Sequence, residues 1–382
     1  MEDAKEKKYK EKKGIPQGNT IVVVGDPGTG KTTFLLSFFR YALLRHGRIF
    51  LSEEISGTSS LLNDPHMRLN GLFRPSTTQG NDQKLLRIFI SLESSFDRML
   101  ANHNKLLDIN KGEGHFVFVD ASGLLSGRLE DKLRYPRFNN GGETDKEDDN
   151  WDRFEFSLKA CDEKNSGNRY LHWEDTDSTG KTKSKRIDQL NSNDKPFEMI
   201  RMKPFLFVLG TPSVPDVRLR IRIFKDLLAA LFATLGSSFV PLLTIDSLSA
   251  LITPFSGGEQ SADVPNSPTL PSTRRLNMLN LIRWLEERRA TTFMSCEAKR
   301  TDQATLRGQP LFLGEEERYL ASGVIQLDYH RYRSGDIVRF LRILKMRGAA
   351  HDMRAYAYDL CTDGIEWLEL LFGEAGQGDN YA

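Results

Sequence analysis

Cysteine is scarce in this chain, and neither sign of charge prevails. Three cysteines, Cys161, Cys296 and Cys361, stand among 382 residues and none has C-x-x-C spacing. That excludes a disulfide scaffold and a paired-cysteine zinc site, and it points to a reducing compartment with buried thiols. Lysine and arginine number 53 against 52 acidic residues, a formal net charge of +1. No global basic field recruits nucleic acid or an anionic membrane, so any such binding must come from a local patch. The opening MEDAKEKKYKEKK is charged throughout and lacks the apolar core of a signal peptide, so residues 1–13 are expected to form a solvated tail. Long apolar runs are also rare. Leu227 to Ile245 is uncharged, but Gly236, Ser237, Ser238 and Pro241 interrupt it and divide a helical pattern from a strand pattern. No membrane span is read there, and a cytoplasmic protein is expected.

What is present is an apolar content of 39%, enough for a real core in one large α/β domain with insertions or in two smaller domains. The most specific signal is GDPGTGKTT, Gly25 to Thr33. The β-branched run Ile21 to Val24 before it reads as a buried parallel strand, and Phe34, Leu35, Phe38 and Leu43 after it recur at helical spacing. At such a seam Gly25, Gly28 and Gly30 let successive amides converge at the positive end of a helix, where a phosphate fits. Asp26, Pro27, Thr29 and Thr33 complete the loop. Lys31 supplies a cation for the β- and γ-phosphates and Thr32 a hydroxyl for Mg²⁺, which completes G-x-x-x-x-G-K-[ST].

Strand and helix patterns then alternate, as in a parallel sheet. Arg48 to Leu51 reads as a short strand, Leu86 to Leu92 as a stronger one, SSFDRMLANHNKLL as a helix and His115 to Ser122 as a further strand. Between Leu124 and Lys203 the pattern dissolves into charge, Gly, Ser and Asn. We read residues 124–204 as an insertion, partly disordered or a small subdomain, whose Trp151, Phe154, Phe156, Tyr170 and Trp173 either pack together or dock a protein partner. Regularity returns with a helix over Val217 to Leu235 and a strand ending in Asp246. Leu276, Leu279, Ile282 and Leu285 mark another helix, and TTFMSCE another strand. The last third reads as consecutive strands, with turns at Ser334-Gly335-Asp336 and Asp363-Gly364, an antiparallel extension of the sheet. The resulting division is 14–123 and 205–373 as the two parts of one α/β core, with a second tail at 374–382.

A nucleoside triphosphate site needs an acid near the metal, and Asp246, ending LLTI, is the candidate from a strand expected beside that of the phosphate loop. Hydrolysis also needs a carboxylate to orient or deprotonate water. Glu53 and Glu54 end one candidate strand and Glu93 another, and the residues alone leave that choice open. Glu297, after TTFMSC, is a further strand-end acid able to sense phosphate or contact a loop.

These blocks resemble the KaiC-like branch of the RecA-type ATPases. The resemblance rests on GIPQGNTIVVVGDPGTGKTTFLL, LLTIDSLSAL, ERYLASGVIQL and above all LRILKMRGAAH at Leu341 to His351. It implies a mostly parallel twisted sheet flanked by helices with a C-terminal antiparallel extension. It implies ATP and Mg²⁺ as cofactors, and it favours the Glu53/Glu54 pair as the water-activating acids. It further implies that Lys345 and Arg347 act in a neighbouring subunit's nucleotide site, with His351 nearby, in a homo-oligomeric ring expected to be hexameric. The usual aspartate-glycine before VI is Ser322-Gly323 here, and one complete phosphate loop replaces two, so neither a clock role nor autophosphorylation is carried over.

Three functions compete at this stage. The first is a Mg²⁺-dependent ATPase that assembles through its nucleotide sites and regulates a partner. The second is a RecA-type DNA-binding ATPase or recombination mediator, using loops at Pro254 to Thr273 and Ala298 to Arg318 with Lys299, Arg300 and Arg307 against phosphates. The third is a nucleotide-gated, non-catalytic scaffold.

Overall fold

A computed structural model describes residues 14–45, 48–52, 73–74, 84–112, 115–126, 151–160, 169–176, 182–190, 194, 205–210, 214, 216–235, 239–252, 271–297, 320–331, 337–349, 351 and 355–368. The chain enters through β1 (Ile15–Pro16) and β2 (Thr20–Gly25), then passes the glycine-rich loop into α1 (Lys31–Tyr41). An antiparallel pair follows, β3 (Ala42–Arg45) and β4 (Arg48–Ser52), with β5 (Phe73–Arg74) beside β4. Next come β6 (Lys84–Ser91), α2 (Phe96–Gly112), β7 (Phe116–Asp120) and the single turn α3 (Gly123–Ser126). After these lie β8 (Asp152–Ala160), β9 (Arg169–Thr176), β10 (Thr182–Arg186) and β11 (Phe205–Gly210). The core continues through α4 (Val217–Leu235), β12 (Phe239–Asp246), α5 (Leu248–Ile252), α6 (Pro271–Glu287) and β13 (Thr291–Glu297). It closes with β14 (Gly323–Arg331), β15 (Ile337–Met346), β16 (Tyr356–Cys361) and β17 (Gly364–Trp367).

Thirteen of these strands form one sheet in the order β10-β9-β8-β11-β7-β6-β12-β13-β2-β14-β15-β16-β17. From β8 to β14 every neighbouring pair is parallel, and both flanks turn antiparallel. This is the mostly parallel α/β sheet with a C-terminal antiparallel extension that the sequence pattern predicts.

Alternation along each strand feeds two cores. Val22 and Val24, Ile88 and Ile90, Val117 and Val119 face the side covered by α4, α5 and α6, against Phe224, Leu227, Leu231, Leu281 and Leu285. Ile21 and Val23, Phe89, Phe116 and Phe118 face the other side, against Phe34, Phe38 and Phe39 of α1 and Leu106 and Leu107 of α2. A sheet buried on both faces reads as continuous apolar runs, which is why the central strands were legible. Each fully buried side chain of this size contributes about 1.5–3 kcal/mol.

Several local expectations differ from the structure. Helix α1 stops at Tyr41 because Ala42 turns to extended angles, so Leu43 lies in β3 rather than on the helical face. The buried face of α6 is Met278, Leu281, Ile282 and Leu285, while Leu276 is 55% exposed. Cys296 is buried, but Cys361 is exposed. The strand over Arg48 to Leu51 does form, yet it belongs to a small separate sheet ordered β1-β4-β3. The described part of 124–204 contributes β8, β9 and β10 to the edge of the main sheet, with Phe154 and Phe156 paired in register with Phe207 and Leu209 of β11. The residues 1–13, the turn at Ser334-Gly335-Asp336 and the tail 374–382 lie outside the described residues.

Candidate functional site

The glycine-rich turn bridges the end of β2 and the start of α1. Gly28 and Gly30 adopt φ of +84° and +83°, angles that favour glycine. Gly30 also caps α1, and a Cβ there would meet Leu360 Cδ2 at 2.5 Å. Thr29 Oγ1 donates to the Asp26 carbonyl at 2.8 Å, closing the loop on itself. Lys31 Nζ donates to the Gly25 and Asp26 carbonyls at 2.8 and 3.0 Å. Burial holds the Lys31 ammonium below the ordinary lysine range, against the opposing pull of Glu297, Asp246, Glu93 and Asp26. Four carboxylates thus surround the one cation of the loop. Thr33, in the first turn, is buried.

Asp246 ends β12, and β12 is not the neighbour of β2. Strand β13 lies between them, which corrects the expected adjacency. The carboxylate nevertheless reaches the loop: Thr32 Oγ1 donates to Asp246 Oδ2 at 2.7 Å, and Ser295 Oγ, from the intervening β13, donates to Oδ1. Sequence reading missed Ser295; its place in TTFMSCE marks only a strand position, and nothing in the pattern announces a polar residue facing inward between two site strands.

Glu93 belongs to the same cluster. It sits in a turn built by Ser91, whose Oγ donates to the Ser94 carbonyl at 2.6 Å and accepts from the Ser94 amide at 3.3 Å. The Leu92 amide donates to the Asp246 carbonyl at 2.6 Å, tying that turn to the end of β12. Ser247 Oγ donates to Glu93 Oε1 and accepts the Ala250 amide at 3.1 Å. Asp120, from β7, caps α2 by accepting the Phe96 amide at 2.9 Å, fixing the helix that follows Glu93. Glu297 ends β13 in register with Gly25, and its amide donates to Ser249 Oγ at 3.2 Å. Glu53 and Glu54 lie outside the described residues, beyond a strand of the separate small sheet.

Lys345 and Arg347 lie at the other end of the sheet. Gly323 of β14 pairs with Ile21 on one side and Met346 on the other, whereas Leu327 pairs with Gly25 and Leu341. Four residues of strand, about 13 Å, therefore separate the level of Lys345 and Arg347 from that of the loop. Lys345 Nζ donates to the Ala321 carbonyl at 2.6 Å. Arg347 is exposed, on a turn held by Asn19 Nδ2 at the Arg347 carbonyl and by Arg48 at the carbonyls of Gly14 and Gly348. His351 is half-buried beyond that turn.

A hydroxyl and a carboxylate oxygen side by side are the hard donors Mg²⁺ prefers, and such an ion ordinarily takes one or two protein oxygens plus nucleotide phosphates. Thr32 and Asp246 fit that role. Among the described residues, no group of three or more His, Cys, Asp or Glu is arranged to hold a metal ion by itself. No helix among them is long and apolar enough to cross a membrane.

Residues 267–371 match the family model for the KaiC ATPase. That match covers α6 through β17 and begins after both the phosphate loop and Asp246. No curated protein matches the chain. Among solved structures, the KaiC-like protein PH0186 from the hyperthermophilic archaeon Pyrococcus horikoshii aligns with 16% identity over 93% of this chain and 91% of its own, with a TM-score of 0.42.

Proposed function

From the match of residues 267–371 to the KaiC ATPase family model, we propose that this chain is a KaiC-like P-loop ATPase of the RecA type that binds Mg·ATP, hydrolyses it and assembles through its nucleotide sites to regulate a partner. The observation that carries the reading is the hydrogen bond from Thr32 to Asp246 directly beneath the loop. The bond brings a hydroxyl at the head of a helix and an acid two strands away to one point, where both can hold the same ion.

In this reading the amides from Gly28 to Thr33 receive the phosphate oxygens at the positive end of α1. Lys31 leaves the carbonyls of Gly25 and Asp26 for the β- and γ-phosphates, because a triphosphate compensates its buried charge better than two carbonyls do. Thr32 and Asp246 are the residues that would hold Mg²⁺, which would supply counter-charge to the transferred phosphoryl oxygens. Glu93 orients and deprotonates the attacking water, with Ser247 fixing one of its oxygens. Lys345 and Arg347 reach the site of a neighbouring subunit, since register keeps them from their own. A head-to-tail contact of that kind gives a ring where its rotation closes and an open filament where it does not; our reading is a ring, hexameric. The partner docks on the edge built from 124–204, and the location is cytoplasmic.

The test is phosphate release with and without Mg²⁺, beside mass measurement with and without ATP, for the parent and Lys31→Ala. Turnover and nucleotide-strengthened assembly are expected in the parent and neither in the variant. A parent that releases no phosphate and stays monomeric with Mg·ATP defeats the proposal.

A further inference from the structure

The C-terminal antiparallel extension touches the phosphate loop. Strand β16 pairs with β15 through Arg339 with Tyr358 and Leu341 with Tyr356. Residues two apart on a strand share a face, and Tyr358 and Leu360 both reach the loop. Leu360 packs where a side chain at Gly30 would stand. The Tyr358 hydroxyl donates to the Thr29 carbonyl at 2.6 Å, with Tyr358 1% exposed and Thr29 fully buried. Arg339, paired with Asp359 at 3.1 Å, adds a long contact of 3.5 Å to the Gly28 carbonyl.

A peptide is planar and trans, so its C=O and N–H point in opposite directions. Anchoring the Thr29 carbonyl on β16 therefore aims the Gly30 amide at the opposite side, into the loop. A buried carbonyl needs a donor, and if that donor is lost the peptide gains reason to rotate. Burial also pushes the Tyr358 phenol well above its ordinary range, so it remains a neutral donor at every ordinary pH.

We propose that Tyr358 is a positioning residue of the phosphate loop, its hydroxyl holding the Thr29–Gly30 peptide in the orientation that binds the phosphate tail. The inference rests on the nucleotide reading above and extends it to a strand 329 residues along the chain from Thr29.

Tyr358→Phe removes one oxygen and keeps the ring. The probes are inorganic triphosphate with Mg²⁺, which engages the loop without a base, and Mg·ATP. By calorimetry both are expected to bind about tenfold more weakly, the equivalent of about 1.4 kcal/mol. A hydroxyl that serves only the stability of β16 lowers the thermal midpoint of the ligand-free protein and leaves both affinities within about twofold of the parent; that result overturns the assignment. Should the variant not fold, hydrogen exchange on the parent decides. Amides at 355–361 must gain protection when Mg²⁺ and triphosphate are added, and no gain overturns it. A parent that binds neither probe overturns the nucleotide reading and this proposal together, whereas equal binding by parent and variant overturns the role of Tyr358 alone.

Discussion

Thr32 Oγ1 donates to Asp246 Oδ2 at 2.7 Å across a strand, β13, to which neither residue belongs. The bond ties the first turn of α1 to the end of β12, and Ser295 of β13 completes it from between. Thr32 and Asp246 together offer fewer oxygens than an octahedral Mg²⁺ takes, so in the proposed site the ion depends on oxygens the nucleotide brings. Calorimetry should therefore detect Mg²⁺ binding only when ATP is present. In Asp246→Asn, affinity for Mg·ATP should fall by at least about tenfold, while affinity for ATP in chelator changes little. Tight Mg²⁺ binding to the nucleotide-free protein contradicts this.

How much of this was legible beforehand differs from residue to residue. The turn from Gly25 to Lys31 is local, so its spacing alone places it between β2 and α1. Asp246 was legible as a strand-end acid, but strand order is a long-range property, and the insertion of β13 between β12 and β2 is written in no local pattern. The same limit governs the choice among glutamates. Arg48 to Leu51 and Leu86 to Leu92 both read as apolar strands, yet only the second lies in the main sheet, parallel to β12 with Ser91 opposite Asp246. Tyr358 sits in an evident strand, and its contact with Thr29 is invisible until the sheet is assembled.

That pairing yields the second prediction. Glu93 shares the Asp246 end of the sheet and is held there by Ser247. Glu93→Gln should keep Mg·ATP affinity within about twofold while phosphate release falls by about a hundredfold or more, the usual scale for removing a general base. Ser247→Ala should cost less, since it loosens Glu93 without removing it. Single-turnover assays against equilibrium binding separate the two effects. Full turnover in Glu93→Gln would return the role to other carboxylates.

The third prediction concerns pH. Burial lowers the Lys31 pKa in the folded protein relative to the unfolded chain. Between the folded value and the unfolded value of about 10.4, the unfolded chain binds more protons, so stability rises with pH across that window. Below the folded value the full cost of burying the cation is felt. Urea unfolding of the ligand-free parent and of Lys31→Met, from about pH 8 to about pH 10, should show their difference shifting in favour of the parent as pH rises. A flat difference shows that the carboxylates around Lys31 already cancel its desolvation.

The fourth turns on Gly30. A side chain there meets two obstacles at once, φ of +83° and Leu360 at 2.5 Å. The left-handed angle alone costs about 1–2 kcal/mol, and displacing Leu360 moves the strand that carries Tyr358. Gly30→Ala should lower stability by more than the angle accounts for, and adding Leu360→Ala should recover part of the excess without recovering nucleotide affinity. Full recovery of affinity in the double variant would show that Leu360, not the backbone angle, is the constraint.

The last prediction separates action within a subunit from action across an interface. Register holds Lys345 and Arg347 at the Ile21 end of β2, while the loop lies at its Gly25 end. The Arg347 turn is anchored at two carbonyls, those of Arg347 and Gly348, by Asn19 and by Arg48, which also binds the Gly14 carbonyl, so the exposed guanidinium is carried on a fixed platform. A cation held rigidly away from its own site contributes to hydrolysis only by entering another. Arg347→Ala should then bind Mg·ATP normally but lose turnover and the ATP-strengthened assembly, and Lys31→Ala should also be inactive. Mixed in equal amounts, the two form interfaces in which an intact loop faces an intact arginine. At those interfaces phosphate release and ATP-strengthened assembly should both return, although neither protein alone shows either. An inactive mixture whose subunits demonstrably co-assemble would assign Arg347 to its own subunit or to no site at all.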